Sequence, residues 1–297
     1  MANGEWRMAN GEWRMADERI VLSYVQAKDM LEARQAGRDV VVVSLDLGLT
    51  KTEVPIEPQG VRLSDGQCLD WQGLEVICAS ERGCFVIEDN TPHKIQIFSK
   101  VANRLYSLMP TEGAPTMLVS GLPMHRVKGI DPYRDTLQKI KTIAPVAGRV
   151  LDTATGLGYT AIEAARTAEH VITVEIEPAV LEVARLNPWS QALFANPKIT
   201  SLVGDIVEVI EEFEDQAFMR IVHDPPAFNL AGDLYSGVFY RQLFRVLRRG
   251  GRLFHYIGDL ESRSGRIVAR GAVRRLQEAG FSRVVRRPEA FGLVIYK

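Results

Sequence analysis

The sequence predicts an α/β protein: a doubly wound parallel sheet with a terminal antiparallel hairpin, preceded by a small β-rich domain. Three observations carry this. From Asp131 onward, apolar strand-like runs alternate with amphipathic helical stretches. Residues 39 to 127 read instead as short β-branched or alternating runs parted by Gly, Pro, Asn and Asp. The last two runs, Phe281 to Arg286 and Phe291 to Tyr296, flank Pro288 as the arms of a hairpin.

In chain order, Met-Ala-Asn-Gly-Glu-Trp-Arg occurs twice, at Met1 to Arg7 and Met8 to Arg14. Residues 1–14 therefore read as a tag-like duplicated segment, with the native text starting near Met15. A solenoid needs at least three repeats, so no repeat architecture follows. The β-rich accessory domain, 15–128, opens with a helix at Tyr24 to Gln35. Strands are expected at Val40 to Leu45, Thr52 to Ile56, Leu74 to Cys78, Phe85 to Glu88, Ile95 to Phe98, Arg104 to Met109 and Thr116 to Ser120. Ser64-Asp65-Gly66 and Glu88-Asp89-Asn90 supply turns.

The second domain, 129–297, opens at Asp131-Pro132 with a helix through Ile143, since proline at the first helical position loses no hydrogen bond. Strand Arg149 to Asp152, helix Tyr159 to Thr167, strand His170 to Glu175, helix Pro178 to Leu186 and strand Ile199 to Val203 come next. A helix at Ile206 to Phe213 leads to strand Arg220 to His223, helix Gly237 to Arg248, strand Arg252 to Ile257 and helix Gly265 to Ala279 before the hairpin.

Composition bounds the function. The 297 residues carry 36 basic and 37 acidic side chains, a net charge of -1, with 46% hydrophobic residues. That excludes disordered, collagen-like and disulfide-stapled classes. Cys68, Cys78 and Cys84 form no C-x-x-C pair, so they read as small core residues; no metal site is expected and the expected compartment is the cytoplasm. No apolar run approaches the ~20 residues needed to cross a bilayer, and the polar start lacks the apolar centre of a secretory signal. No membrane partner is expected, and nothing in the sequence specifies an oligomeric state. The near-neutral total hides a gradient, however. Residues 129–240 are acid-rich, whereas 241–297 hold 14 Lys/Arg against 4 Asp/Glu. Such a segment can meet phosphates; alternatively, Arg241, Arg245, Arg248 and Arg249 merely solvate a helix and offset its dipole.

The sharpest motif is Leu151-Asp152-Thr153-Ala154-Thr155-Gly156-Leu157-Gly158-Tyr159-Thr160-Ala161, a strand running into a helix through glycines that admit close approach of a ligand. Gly156 to Ala161 satisfies the dinucleotide pattern G-x-G-x-x-A. In a nicotinamide site, though, the first glycine follows the strand directly, and here Asp152 and three residues intervene. Glu175 ends the second strand, where a carboxylate can accept from both ribose hydroxyls. Asp205 follows the third, as an acceptor for an adenine amino group or as a plain helix cap. His223-Asp224-Pro225-Pro226 closes the fourth. Glu177 and Glu182 read as exposed helix residues.

On these residues the region 129–297 resembles a class I S-adenosylmethionine-dependent methyltransferase, with Ala154 where that superfamily's loop has its first glycine. The fold implied is a Rossmann-like methyltransferase sheet. Val246 to Leu253 resembles the turn into its fifth strand. More closely, Met124 to Gly129, Leu151 to Ala161, Ala184 to Ser190 and His223 to Tyr235 resemble the uncharacterised "predicted archaeal methyltransferase" family, over nearly everything after Met15. The resemblance implies S-adenosyl-L-methionine as cofactor, with Asp152, Ala154, Gly156, Gly158, Glu175 and Asp205 around it. It also implies catalysis by Asp224, Pro225 and Pro226, because an (Asn/Asp)-Pro-Pro-aromatic turn lets a side chain and a backbone carbonyl accept from an NH2 group.

The fourth residue of that turn is Ala227 rather than an aromatic, so Phe228, Tyr235, Tyr240 or Tyr256 would have to supply a stacking platform. His223 is a candidate base or a satisfied buried imidazole. The same two readings apply to His255, and His125 is a candidate on the substrate side or a structural residue. The leading expectation is a methyltransferase acting on an amino group of an RNA base, gripped through the arginine-rich C-terminal segment, with a small-molecule acceptor also open. The alternatives are aminopropyl transfer to a polyamine, served by Asp224 and Asp233 but lacking the Gly-Gly-Gly-Asp loop of polyamine synthases, and a non-catalytic cofactor-binding scaffold.

Overall fold

A computed structural model describes residues 6–9, 12–15, 19–226 and 231–297. Phe228 and its neighbours 227–230 lie outside the described residues. The chain divides into two compact units, one of Met1–Tyr133 with Ala179–Ala195, the other of Arg134–Pro178 with Asn196–Lys297.

The first unit contains short antiparallel sheets, the helices Tyr24–Gln35 and Trp71–Cys78, and the helical residues of 179–195. Ser23 begins the first helix with a reciprocal cap, its hydroxyl serving Val25 while Gln26 reaches back to its backbone N–H at 2.9 Å. The expected strand Leu74 to Cys78 is instead the second helix. Its apparent alternation is the 3.6-residue period cut short: Leu74 and Ile77 are buried on one face, and the Asp70 side chain caps the start by accepting from Gly73 N–H at 2.7 Å. Both helices pack on a core that includes Leu22, Met30, Val54, Leu69, Leu74 and Ile77. Residues 179–195 join this unit although their neighbours in sequence belong to the other. There Trp189 Nε1–H donates to the Leu47 carbonyl at 3.1 Å, and its ring lies 5.6 Å from that of Tyr133.

The second unit is a seven-stranded mixed sheet, its strands labelled here in chain order: β1 Arg149–Asp152, β2 His170–Glu175, β3 Ile199–Val203, β4 Phe218–His223, β5 Leu247–Tyr256, β6 Arg283–Arg287 and β7 Gly292–Tyr296. Their spatial order is β3-β2-β1-β4-β5-β7-β6, with β1 to β5 parallel and β7 antiparallel to both its neighbours, β5 and β6. The order reverses between β1 and β4, so the carboxyl ends of those two strands border the crevice where doubly wound sheets take ligands. Near-continuous runs such as Val171 to Val174 are buried, as a parallel sheet requires. The core beneath includes Leu151, Phe218, Ile221, Tyr235, Phe239, Tyr240 and Leu253. Helix Pro132–Thr142 precedes β1, helix Gly237–Val246 leads into β5, and helix Arg263–Glu278 leads into the hairpin. The helix expected through Phe213 is a short α-turn, Ile206–Val209, passing into a 3-10 turn. Among the described residues no helix is long and apolar enough to cross a membrane.

Candidate active site

At the end of β1 the loop from Asp152 to Gly158 turns the chain into helix Tyr159–Ala165. Gly156 and Gly158 hold φ values of 54° and 80°, a conformation costly for residues with a Cβ. Thr153 N–H donates to the Val222 carbonyl on β4 and Thr155 N–H to the Val174 carbonyl on β2, both at 3.0 Å. The loop is thus stitched to the strands on either side of β1. Ala154, between these anchors, is half-buried.

Glu175 braces the same loop. Its Oε2 accepts from Gly156 N–H at 2.9 Å and its Oε1 from Glu177 N–H at 3.1 Å. Burial raises its carboxyl pKa, and those backbone donors oppose the rise. Each carboxylate oxygen keeps acceptor capacity for a further donor such as a ribose hydroxyl.

Asp152 is fully buried. Its Oδ2 accepts from the hydroxyls of Thr160 at 2.9 Å and Thr173 at 3.0 Å, while Oδ1 is buried with no hydrogen-bond partner among the described residues. Burial pushes this carboxyl up to about 7; the hydroxyls pull it down, and nearby Asp224 adds to the rise. An orphaned buried acceptor beside a glycine loop fits a ligand that brings a cation or donor of its own.

Asp205 caps the turn Ile206–Val209, accepting from Val207 N–H at 2.9 Å. The plain capping role is thus the one the structure displays.

At the end of β4, Asp224 is part-buried, and its Oδ2 lies 2.6 Å from Lys139 Nζ. The same ammonium lies 2.9 Å from Asp135 and 4.8 Å from the centre of the Tyr256 ring. Burial opposes charge on Lys139, but the two carboxylates outweigh it and hold its pKa above the ordinary lysine range. Asp224 Oδ1 has no partner among the described residues, and nor does the Pro225 carbonyl; the Pro226 carbonyl accepts from the Tyr235 hydroxyl at 3.1 Å.

The other candidates separate from these. His223 is fully buried, and since a carbonyl only accepts, its Nε2 must donate to the Leu234 carbonyl at 2.9 Å. Its Nδ1 therefore accepts from the Thr153 hydroxyl at 2.7 Å. Burial depresses the imidazole to about 4, so it is neutral with both nitrogens engaged. His255 is equally buried, with Nε2 2.8 Å from the Tyr240 hydroxyl. Tyr235 and Tyr240 are buried in the core, so neither offers a ring face to an incoming base; Tyr256 is half-buried. His125 bonds locally in the first unit, Nδ1 to the Thr116 hydroxyl at 2.9 Å.

Among the arginines, Arg245 is structural, donating to the Phe213 and Ile210 carbonyls and pairing with Asp215 at 2.9 Å. Arg263, Arg266, Arg270 and Arg274 are exposed along helix Arg263–Glu278 at three- and four-residue intervals, hence on one face.

Known proteins now bear on this geometry. The chain is 39% identical over 284 residues to the uncharacterized protein MJ1233 of Methanocaldococcus jannaschii, covering 94% of this chain and 96% of that one. The chain belongs to the MJ1233 family. In this family member, residues 151–255 match the methyltransferase domain family, a span from β1 to β5 that contains Asp152, Glu175, Asp205 and Asp224. A polyamine aminopropyltransferase of Clostridium kluyveri is 26% identical over 139 residues, 46% of this MJ1233-family chain and 50% of that protein. A crystal structure of spermidine synthase with the transition-state analogue AdoDATO superimposes with a TM-score of 0.55 at 18% identity, over 71% of this chain and 77% of that one. At that identity the likeness shows the fold. The MJ1233-family chain thus carries a fold shared by methyltransferases and aminopropyltransferases.

Proposed function

We propose that this protein is an S-adenosylmethionine-dependent methyltransferase acting on an exocyclic amino group of an RNA base. The observation that carries the reading is the end of β4, where Asp224 Oδ1 and the Pro225 carbonyl stand as open acceptors at the strand-order reversal. Two acceptors can take both N–H bonds of an amino group and favour a tetrahedral nitrogen whose lone pair points away from them. The cofactor would supply an electrophilic methyl group on a sulfonium: the N–C bond would form as the S–C bond breaks, the thioether would leave neutral, and the methylated nitrogen would pass one of the protons facing Asp224 and the Pro225 carbonyl to solvent. On the protein side, Glu175 would accept from the ribose hydroxyls, the Gly156–Gly158 turn would leave room for the cofactor, and buried Asp152 Oδ1 would meet the amino-acid ammonium. Asp205 would accept from the adenine amino group with the oxygen not used in capping. His223 would orient the Thr153 loop rather than exchange protons, since neither ring nitrogen is open. The exposed arginine row on helix Arg263–Glu278 supports a polyanionic acceptor.

Aminopropyl transfer from decarboxylated S-adenosylmethionine is the second reading, favoured by the spermidine synthase fold and the Clostridium kluyveri relative. Against it, Lys139 partly neutralises the carboxylate that would attract a polycation. The test is purified protein with tritiated S-adenosylmethionine and separated RNA, protein and small-molecule fractions from a strain lacking the gene. Label entering a base of the RNA fraction is expected. Transfer only from decarboxylated cofactor to putrescine or spermidine would replace this reading with the second.

A further inference from the structure

Helix Pro132–Thr142 carries two of its four charges inward. Asp135 and Lys139 sit on its buried face with Thr136 and Ile140, while Arg134, Leu137 and Lys141 face out. A buried lysine is expensive unless paired, and an Asp135–Lys139 pair at i, i+4 would already satisfy that need within the helix. Lys139 nevertheless reaches a second carboxylate across the sheet, and its shorter contact, 2.6 Å against 2.9 Å, is the one to Asp224. The Tyr256 ring covers the same ammonium at 4.8 Å.

We propose that Lys139 is the positioning residue of the acceptor site, holding Asp224 ionised and turned so that Oδ2 is occupied and Oδ1 alone meets the acceptor amine. The proposal rests on the reading of Asp224 as the acceptor-binding carboxylate. Three features fit it. An unpaired aspartate at this depth would retain its proton to higher pH, and a protonated carboxyl could donate to the acceptor nitrogen, tying up the lone pair that must attack. A two-point clamp on Lys139, by Asp135 and Tyr256, leaves the ammonium little freedom, so the carboxylate it holds is fixed as well. Finally, with Oδ2 held by Lys139, Oδ1 is the carboxylate's unengaged oxygen, complementary to one N–H beside the Pro225 carbonyl.

The experiment compares wild type, Lys139→Met, Asp224→Ala and the double variant, with the deletion-strain RNA as acceptor. Cofactor affinity is read by calorimetry, turnover over pH 5 to 9, and the Asp224 carboxyl by carbon-13 NMR titration. Lys139→Met is expected to leave cofactor affinity within about threefold and to lower turnover by about tenfold or more at neutral pH. It should move both the acid limb of the rate profile and the Asp224 titration upward by on the order of one pH unit or more, so that part of the loss returns at high pH. The double variant should be no slower than Asp224→Ala. If Lys139→Met fails to fold because Asp135 is stranded, Asp135→Asn/Lys139→Met keeps the buried charge unchanged and serves in its place. Asp224→Ala inactive beside a Lys139 variant with wild-type turnover and titration overturns the positioning role alone. Asp224→Ala with wild-type turnover overturns the reading beneath it, and the positioning role falls with it.

Discussion

Two carboxylates stand at the carboxyl ends of adjacent central strands of the same sheet, and the protein treats them differently. Asp152, at the end of β1, is surrounded by neutral donors, the hydroxyls of Thr160 and Thr173, and burial pushes it up to about 7. Asp224, at the end of β4, is given a cation, with Lys139 opposing the rise that burial imposes. A buried acid without a countercharge awaits one from a ligand, whereas one with a built-in countercharge is kept ionised for work on a neutral group. On the proposed reading, the contrast would put the cationic cofactor on the β1 side and a neutral amine on the β4 side.

The largest effect is expected at β4. Asp224→Ala should lower turnover by about a hundredfold or more while leaving cofactor affinity within about threefold. Equal losses in both, read by calorimetry and initial rates, would erase the division between the two carboxylates. On the cofactor side, Glu175→Ala should cost on the order of 1 to 3 kcal/mol of binding, or roughly five- to 150-fold in Kd, through lost charge-assisted bonds. It also releases the Gly156 N–H.

The Asp152 arm is a pH effect. In the free protein its folded pKa is raised, so the stability it contributes is fully present below about 4, its ordinary value, and is lost as pH climbs toward 7. A cofactor ammonium beside it would favour the ionised form. S-adenosylmethionine binding should therefore release a proton and tighten by up to about tenfold per pH unit below 7, levelling off above. Calorimetry in buffers of differing ionisation enthalpy reads the proton directly, and Asp152→Asn should flatten the dependence. A flat profile in wild type would remove the charge-awaiting role. The smallest effect is on the surface: Arg270→Glu/Arg274→Glu should weaken RNA binding several-fold, reduce its salt dependence and leave cofactor affinity unchanged. Arg274 already shares an exposed pair with Glu278 at 3.6 Å, so most of the change should come from Arg270. A polyamine acceptor would respond in the opposite direction.

Much of the sheet was legible because its signals are local. The runs at Arg149, His170 and Ile199 match the observed strands, and Gly156 and Gly158 mark a turn whose backbone demands them. Strand β5 begins at Leu247, earlier than Arg252, because Leu247 already pairs with Phe218 before the ladder shifts register. What escaped depends on tertiary placement. Tyr235 and Tyr240 looked like candidate platforms since nothing local says which way a ring turns in the packed unit. Lys139 escaped altogether, its partner Asp224 lying far along the chain. A trace was present nonetheless: on a helical wheel, Asp135 and Lys139 fall on the face of Ile140 and Ile143 while Leu137 points out. Charges on the apolar side of a helix are a signal worth following.

Residues 179–195 belong with the first unit although they are encoded between β2 and β3 of the second. During synthesis the first unit therefore cannot be complete until Ala195 has left the ribosome, by which time β1 and β2 of the other have been made. The usual order, in which an N-terminal domain closes before its successor appears, gives way to interleaved maturation. No single cut in the gene separates the two: a fragment beginning at Gly129 carries Trp189 without the Leu47 carbonyl that receives its indole N–H.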